Sequence, residues 1–356
     1  MRIFIKIISL LLFISCSTDK SNRYTVHSFN IDISYELFTH LLSDQHHHYL
    51  FGAVEENQMD YRTSEITIVQ SAVGDEKNWK PFSKNIPGKC QAVSQTHKYI
   101  YVISINQYQE LRDPKFSNHK LYRISKADKS ITELYEFNQP NSFVRDVYFD
   151  SDERGYIFFR PSGNPLDYQF LKTNNSGKEW DVIELNRPVN VTHSYDEKLY
   201  FVSYKNNLKN NWIYKIDKKS DRLDSLEFDL NIIDFSVGEN EEFWLLGQEG
   251  GKTVVQHYTN GQTTVVHNFS DDADVFPKHL YKYNELMVVI ASQIDENMLG
   301  GFGGTKTFMF VSKDNGLTWD NERLDGALYL NPISIYKNKK LTAYVGDGKI
   351  LTCKFQ

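Results

Sequence analysis

One pattern constrains this chain more than any other. A polar turn followed by four or five apolar residues occurs seven times, at Tyr49–Ala53, Tyr99–Ile103, Tyr156–Phe159, Leu199–Val202, Phe243–Leu246, Leu286–Ile290 and Leu341–Val345. Turn-forming stretches such as Asp150–Glu153, Tyr195–Lys198, Gly238–Glu241 and Lys337–Lys340 lead into the runs. Successive runs start 43 to 57 residues apart. A fixed period of this size marks a stack of one supersecondary unit, because each unit buries its apolar face only against its neighbours.

The unit reads as two hairpins. After the apolar run come pairs such as Leu121–Ser125 with Ile131–Tyr135, and Ile213–Asp217 with Leu223–Phe228. In Val254–Tyr258 and Thr264–His267 the connection contains Asn260-Gly261, a strong short-range hairpin signal. Inner strands covered on both faces read as continuous apolar runs, and outer strands alternate. The 22 Tyr and 23 Phe favour strand over helix. Four strands at this period predict a β-propeller of seven blades, with six blades and one irregular unit as the alternative. The last unit, Leu328–Tyr336, Leu341–Val345 and Lys349–Phe355, is one strand short. A strand within Tyr24–Ile31 is expected to supply it and close the ring.

Residues 1–15 are an address and not part of the fold. Arg2 and Lys6 precede Ile7–Ile14, an apolar core too short for the ~20 residues of a membrane span but suited to a secretory signal. Ser15-Cys16 at its end resembles a bacterial lipobox, although Phe13 stands where Leu is usual. That resemblance implies lipidation of Cys16, a polar tether over residues 16–22 and one propeller over 23–356. Acyl chains would hold the protein at the envelope, most readily the outer membrane. Removing Arg2 and Lys6 takes the net charge from −6 to −8. No basic run remains, which argues against nucleic acid and against electrostatic attachment to an anionic membrane. Cys90 and Cys353 fall on non-adjacent units, so two buried thiols are favoured over a disulfide.

Ser312, Asp314, Gly316, Thr318 and Trp319 read S-x-D-x-G-x-T-W. Thr173, Asn175, Gly177 and Trp180 form a degraded copy at the matching turn, and Ser71 to Trp79 is a third candidate one residue too long. The pattern resembles the Asp box, or bacterial neuraminidase repeat. In such a turn Asp314 is suited to accept amide bonds, Gly316 to take a left-handed conformation and Trp319 to pack against strands. The resemblance implies a propeller but no single activity. Asp boxes occur in sialidases, other glycoside hydrolases, assembly factors and sorting receptors.

The segments Val54–Ser64, Asn106–Asn118 and Gln293–Thr305, the last holding Leu299–Gly304, join second to third strands and suit recognition. Arg145 and Asp146 fall on an inner strand, where a paired charge in the channel is the plainer reading. With Arg160, in a partial echo of the sialidase signature, they are the candidate channel site. His46–His48 with Asp44, and Asp271, Asp272 and Asp274, are metal candidates better read as surface turns, because adjacent extended residues face opposite ways. No cofactor motif is found. The expectation is an envelope-anchored module that binds an exported or envelope protein, or a glycan. A glycoside hydrolase related to sialidases is the rival.

Overall fold

The computed structural model describes residues 24–28, 36–54, 65–75, 77–107, 117–137, 139, 142–164, 166–204, 210–269, 275–294, 305–324, 331–336, 340–346 and 349–354. The expected signal and tether, the Asp271–Asp274 cluster and most of the three long segments lie outside them.

The chain is an all-β propeller whose strands pair into seven four-stranded antiparallel sheets. Strand β1 is Tyr24–Ser28. The first sheet then holds β2 (Glu36–Ser43), β3 (His47–Val54), β4 (Glu65–Ala72) and β5 (Lys80–Pro87). The second holds β6 (Lys89–Gln95), β7 (Tyr99–Gln107), β8 (Ser117–Ser125) and β9 (Ile131–Phe137). The third holds β10 (Phe143–Phe149), β11 (Gly155–Arg160), β12 (Gln169–Thr173) and β13 (Asp181–Glu184). The fourth holds β14 (Thr192–Tyr195), β15 (Lys198–Ser203), β16 (Trp212–Asp217) and β17 (Leu223–Glu227). The fifth holds β18 (Asn231–Val237), β19 (Phe243–Glu249), β20 (Lys252–Thr259) and β21 (Gln262–Asn268). The sixth holds β22 (Val275–Tyr283), β23 (Leu286–Ile294), β24 (Thr305–Ser312) and β25 (Asp320–Leu324). In the last sheet β26 (Asn331–Tyr336), β27 (Lys340–Gly346) and β28 (Lys349–Lys354) are completed by β1. Tyr24 pairs with Cys353 and Ser28 with Lys349.

Each of the seven apolar runs is the second strand of one sheet. These strands are continuously buried because both faces are covered: in β11 everything from Gly155 to Phe159 is buried. The core is divided into clusters shared by consecutive sheets. Tyr49, Phe51 and Ile68 pack with Ile100 and Val102, and Tyr156, Phe158 and Phe170 pack with Leu199 and Phe201. First strands meet one another around the centre, as β6 meets β10 and β18 meets β22. All but β14 carry a register shift, at Phe38/His40, Cys90/Ala92, Val144/Asp146, Ile232/Asp234, Pro277/His279 and Asn331/Ile333. A bulge of this kind re-aims the side chains that follow it. Cys90, on β6, is a free, buried thiol, and burial pushes its pKa up.

Candidate functional site

Two hairpin turns have nearly the same hydrogen-bond network. In the β24–β25 turn, Ser312 Oγ donates to Asp314 Oδ1 at 2.7 Å and accepts the buried Gly316 amide at 2.7 Å. Asp314 also accepts the Thr318 amide at 2.9 Å and the Thr318 hydroxyl at 2.6 Å. These bonds hold its carboxyl down to about 2. In the β12–β13 turn, Thr173 Oγ1 donates to Asn175 Oδ1 at 3.0 Å and accepts the Gly177 amide at 2.9 Å, and Asn175 Oδ1 accepts the Glu179 amide at 2.9 Å. Gly316 and Gly177 both have positive φ, 87° and 82°, where a side chain is strained. Each turn bonds back to the turn before its own second strand, Asn315 to Glu285 O and Ser176 to Glu153 O. Trp319 stacks on His267, and Trp180 meets Tyr135 edge-on, so each indole joins its sheet to the outer strand of the sheet before.

In the Ser71–Trp79 stretch, Ser71 Oγ donates to Asp75 O at 2.8 Å, a bond the other two turns do not have.

Arg145 is the bulged residue of β10 and is exposed, and its charge pulls the pKa of the adjoining Asp146 down. Asp146 accepts the Val147 amide at 2.9 Å, the Tyr148 hydroxyl at 2.9 Å, and the Thr192 hydroxyl from β14 of the next sheet. Burial raises its carboxyl pKa against the pull of these bonds. Arg160 ends β11, its guanidinium 5.4 Å from the Phe143 ring and 5.9 Å from the Tyr168 ring, and both it and Arg145 act electrostatically on Tyr168.

The sequence reading missed Asp234, two sheets on at the same place. It follows the bulge of β18 and accepts the Phe235 amide at 2.8 Å, as Asp146 accepts that of Val147. Its carboxylate also meets His193 Nε2 of β14 at 3.2 Å, the Leu280 amide of β22 at 2.9 Å and His279 Nδ1 at 3.6 Å. Burial works to raise this carboxyl, but His193 and His279 outweigh it and hold it down to about 2. His40, after the β2 bulge of the first sheet, is lowered to about 4 by burial. The shared signal was an acid at the fourth position of an inner strand, visible once the repeats are aligned.

At the end of the sheets that carries the turns, a cleft of about 680 Å³ opens between the first and second sheets. Its lining includes His46, His47, Gln70, His97 and Lys129, above the buried rings of Tyr49 and Phe82. Asp44 accepts the His46 and His47 amides at 2.9 Å each, and pairs with Lys126 at 2.8 Å. Burial would raise its carboxyl, but Lys126 and the two amides bring it below the usual range. Asp44 is thus spent on the turn. Among the described residues no group of three or more His, Cys, Asp or Glu could hold a metal ion, His46–His48 included.

No family model matches the chain, and no curated protein matches it in sequence. Solved structures do match its shape. YCF48 bound to D1 peptide superposes with a TM-score of 0.63 at 12% identity, over 94% of this chain and 98% of that one. YCF48 from Cyanidioschyzon merolae gives 0.60 at 12% identity, over 93% and 98%. The β-propeller domain of the Trilobed protease from Pyrococcus furiosus gives 0.60 at 10% identity, over 91% and 97%. At these identities the likeness establishes the propeller fold alone.

Proposed function

We propose that this chain is an exported, lipid-anchored binding propeller, attached through Cys16 at the cell envelope and holding a protein partner. In this reading each four-stranded sheet is one blade, giving seven, and the turns around Asp314 and Asn175 are Asp boxes. The observation that carries the reading is the state of the channel carboxylates. Hydrolysis of a glycosidic bond ordinarily needs two carboxyl groups directed at the substrate. Asp146 and Asp234 spend both oxygens on bonds within and between inner strands. They act as braces, and a braced ring is a platform for recognition by the segments joining second to third strands. That a similar propeller is bound to a peptide supports a protein partner over a glycan.

The rival glycosidase reading has one observation behind it, the Tyr148–Asp146 bond, which has the form of a tyrosine–carboxylate pair. A tyrosine nucleophile needs an activated hydroxyl. Tyr148 is pushed the other way, well above its ordinary value, by burial and then by Asp146.

The test is affinity capture from detergent-solubilised envelope, with the intact mature chain and a variant shortened in 106–118 and 293–305. Enrichment of one protein by the intact chain, lost on shortening, is the expected result. Hydrolysis of aryl glycosides that disappears in both Asp146→Asn and Tyr148→Phe would overturn the reading.

A further inference from the structure

The cleft between the first and second sheets has a closed counterpart between the third and fourth. Asp44 and Asp150 open equivalent turns, their amides donating to His47 O and Arg154 O. Tyr49 faces Gln70 across its strand pair, and Tyr156 faces Lys172. The Lys126 amide donates to Lys98 O, and that of Lys218 to Glu197 O. The Lys126 ammonium reaches Asp44 at 2.8 Å and lies 5.3 Å from the Tyr49 ring centre. The Lys218 ammonium reaches Asp150 at 3.4 Å and lies 5.6 Å from that of Tyr156. Lys129 and Asp221 share a left-handed hairpin position, φ 62° and 57°, each amide bonding four residues back.

With these positions matched, four side chains decide whether the junction closes. In the closed one they form two ion pairs, Lys172–Asp221 at 2.8 Å and Arg154–Glu197 at 3.7 Å. In the open one the same places hold Gln70, Lys129, His47 and Lys98. Both acids have become lysines. Lys98 turns away to Asp152 at 3.2 Å. Lys129 lies 5.4 Å from the Phe82 ring centre, and among the described residues no carboxylate pairs with it. The junction is therefore built like its counterpart but lacks the carboxylates that complete it, in a chain that is net negative.

We propose that this cleft binds a carboxylate carried by a peptide, seated on Lys129 with the His47 and His97 imidazoles beside it, and an apolar side chain of the peptide against the Tyr49–Phe82 wall. The volume is within the roughly 300–1,000 Å³ usual for ligand sites. Carboxylate is favoured over phosphate because the counterpart uses carboxylates at these positions, and because no arginine fork lines the cleft. The site lies at the opposite end of the sheets from the long segments and stands independently of their role.

Titration calorimetry on the whole mature chain tests this. The probes are acetyl-Ala-Phe as free acid, its C-terminal amide, acetyl-Glu-Phe amide and inorganic phosphate. Either carboxylate-bearing peptide should bind at least tenfold more tightly than acetyl-Ala-Phe amide, and which one does identifies an end or a side chain as the source. Lys129→Ala should weaken that binding about tenfold. The double variant Gln70→Lys with Lys129→Asp rebuilds the counterpart's ion pair. It should abolish binding while melting at or above the parent temperature. Affinities of both carboxylate-bearing peptides no better than that of acetyl-Ala-Phe amide, phosphate competing as well as the peptides, parental binding by the double variant, or no binding of any peptide at millimolar concentration would each overturn the proposal.

Discussion

Thr192, on the inner strand of the fourth sheet, donates its hydroxyl to Asp146 on the inner strand of the third. Two sheets further on, Asp234 does the equivalent work toward β22 by accepting the Leu280 amide. The two carboxylates hold the same place in their strands and reach neighbours of different kinds, one hydroxyls and the other imidazoles.

They should therefore respond oppositely to pH. The Asp234 carboxyl is depressed to about 2, so its stabilisation is present above its ordinary value and is lost as pH falls toward 2. The Asp146 carboxyl is raised, so its ionisation opposes folding as pH climbs past the ordinary carboxylate value. Asp234→Asn should cost about 2 kcal/mol at pH 7 and flatten the acid side of the stability profile. Asp146→Asn should be near neutral at pH 3 and relatively stabilising at pH 7. Urea unfolding at pH 3, 5 and 7 checks both. Parallel profiles for the two variants would contradict the assignment.

Gly316 should be the less replaceable of two left-handed glycines. A Cβ there would overlap Val266 Cγ1, whereas one on Gly261 meets nothing within 4 Å, although φ is 87° and 80°. Gly316→Ala is expected to cost about 2–3 kcal/mol, from strain and clash together. Gly261→Ala should cost only about 1 kcal/mol. Thermal melts of the pair separate packing from backbone strain.

The tryptophans of the two turns differ in one bond. Trp319 Nε1 donates to Gly316 O at 2.9 Å, while Trp180 Nε1 is buried without a partner among the described residues. Trp319→Phe should lose about 1 kcal/mol, and Trp180→Phe should lose none. Equal losses in chemical denaturation would show that ring area, not the indole N–H, decides both.

Cys16→Ala tests the anchor. Loss of radiolabelled palmitate from the protein, with its transfer to the soluble fraction, is the expected outcome. A protein that stays with membranes unlabelled would require a different attachment.

The sequence carried the strand pattern well because propeller strands are local hairpins with distinct apolar runs. Leu199–Val202 and Phe243–Leu246 needed no tertiary information to be read. The turns at Ser312–Trp319 and Thr173–Trp180 were legible for the same reason, since most of their hydrogen bonds run within a few residues. The channel was not. Arg145 and Asp146 adjoin in sequence, and only the structure shows the bulge between Val144 and Asp146 that re-aims the strand there. Asp234 gathers His193 from 41 residues away and a third group from the following sheet, distances that no motif spans. The open junction was hidden further. It emerges when Lys129 is compared with Asp221, and that pairing rests on backbone bonds rather than on similar residues.

The pairing of Tyr24 with Cys353 has a consequence for how the molecule forms. Every other strand pairs with neighbours within one hairpin of it in sequence. β1 must wait for β28, more than 300 residues further along the chain. Until then its hydrogen-bonding edge is open and the nascent ring has two free ends. The final step is closure of a loop of over 300 residues, whose entropy grows only with the logarithm of its length, so delay is the larger hazard. A chaperone that shields an unpaired strand edge would serve this protein best in the interval before β1 and β28 meet.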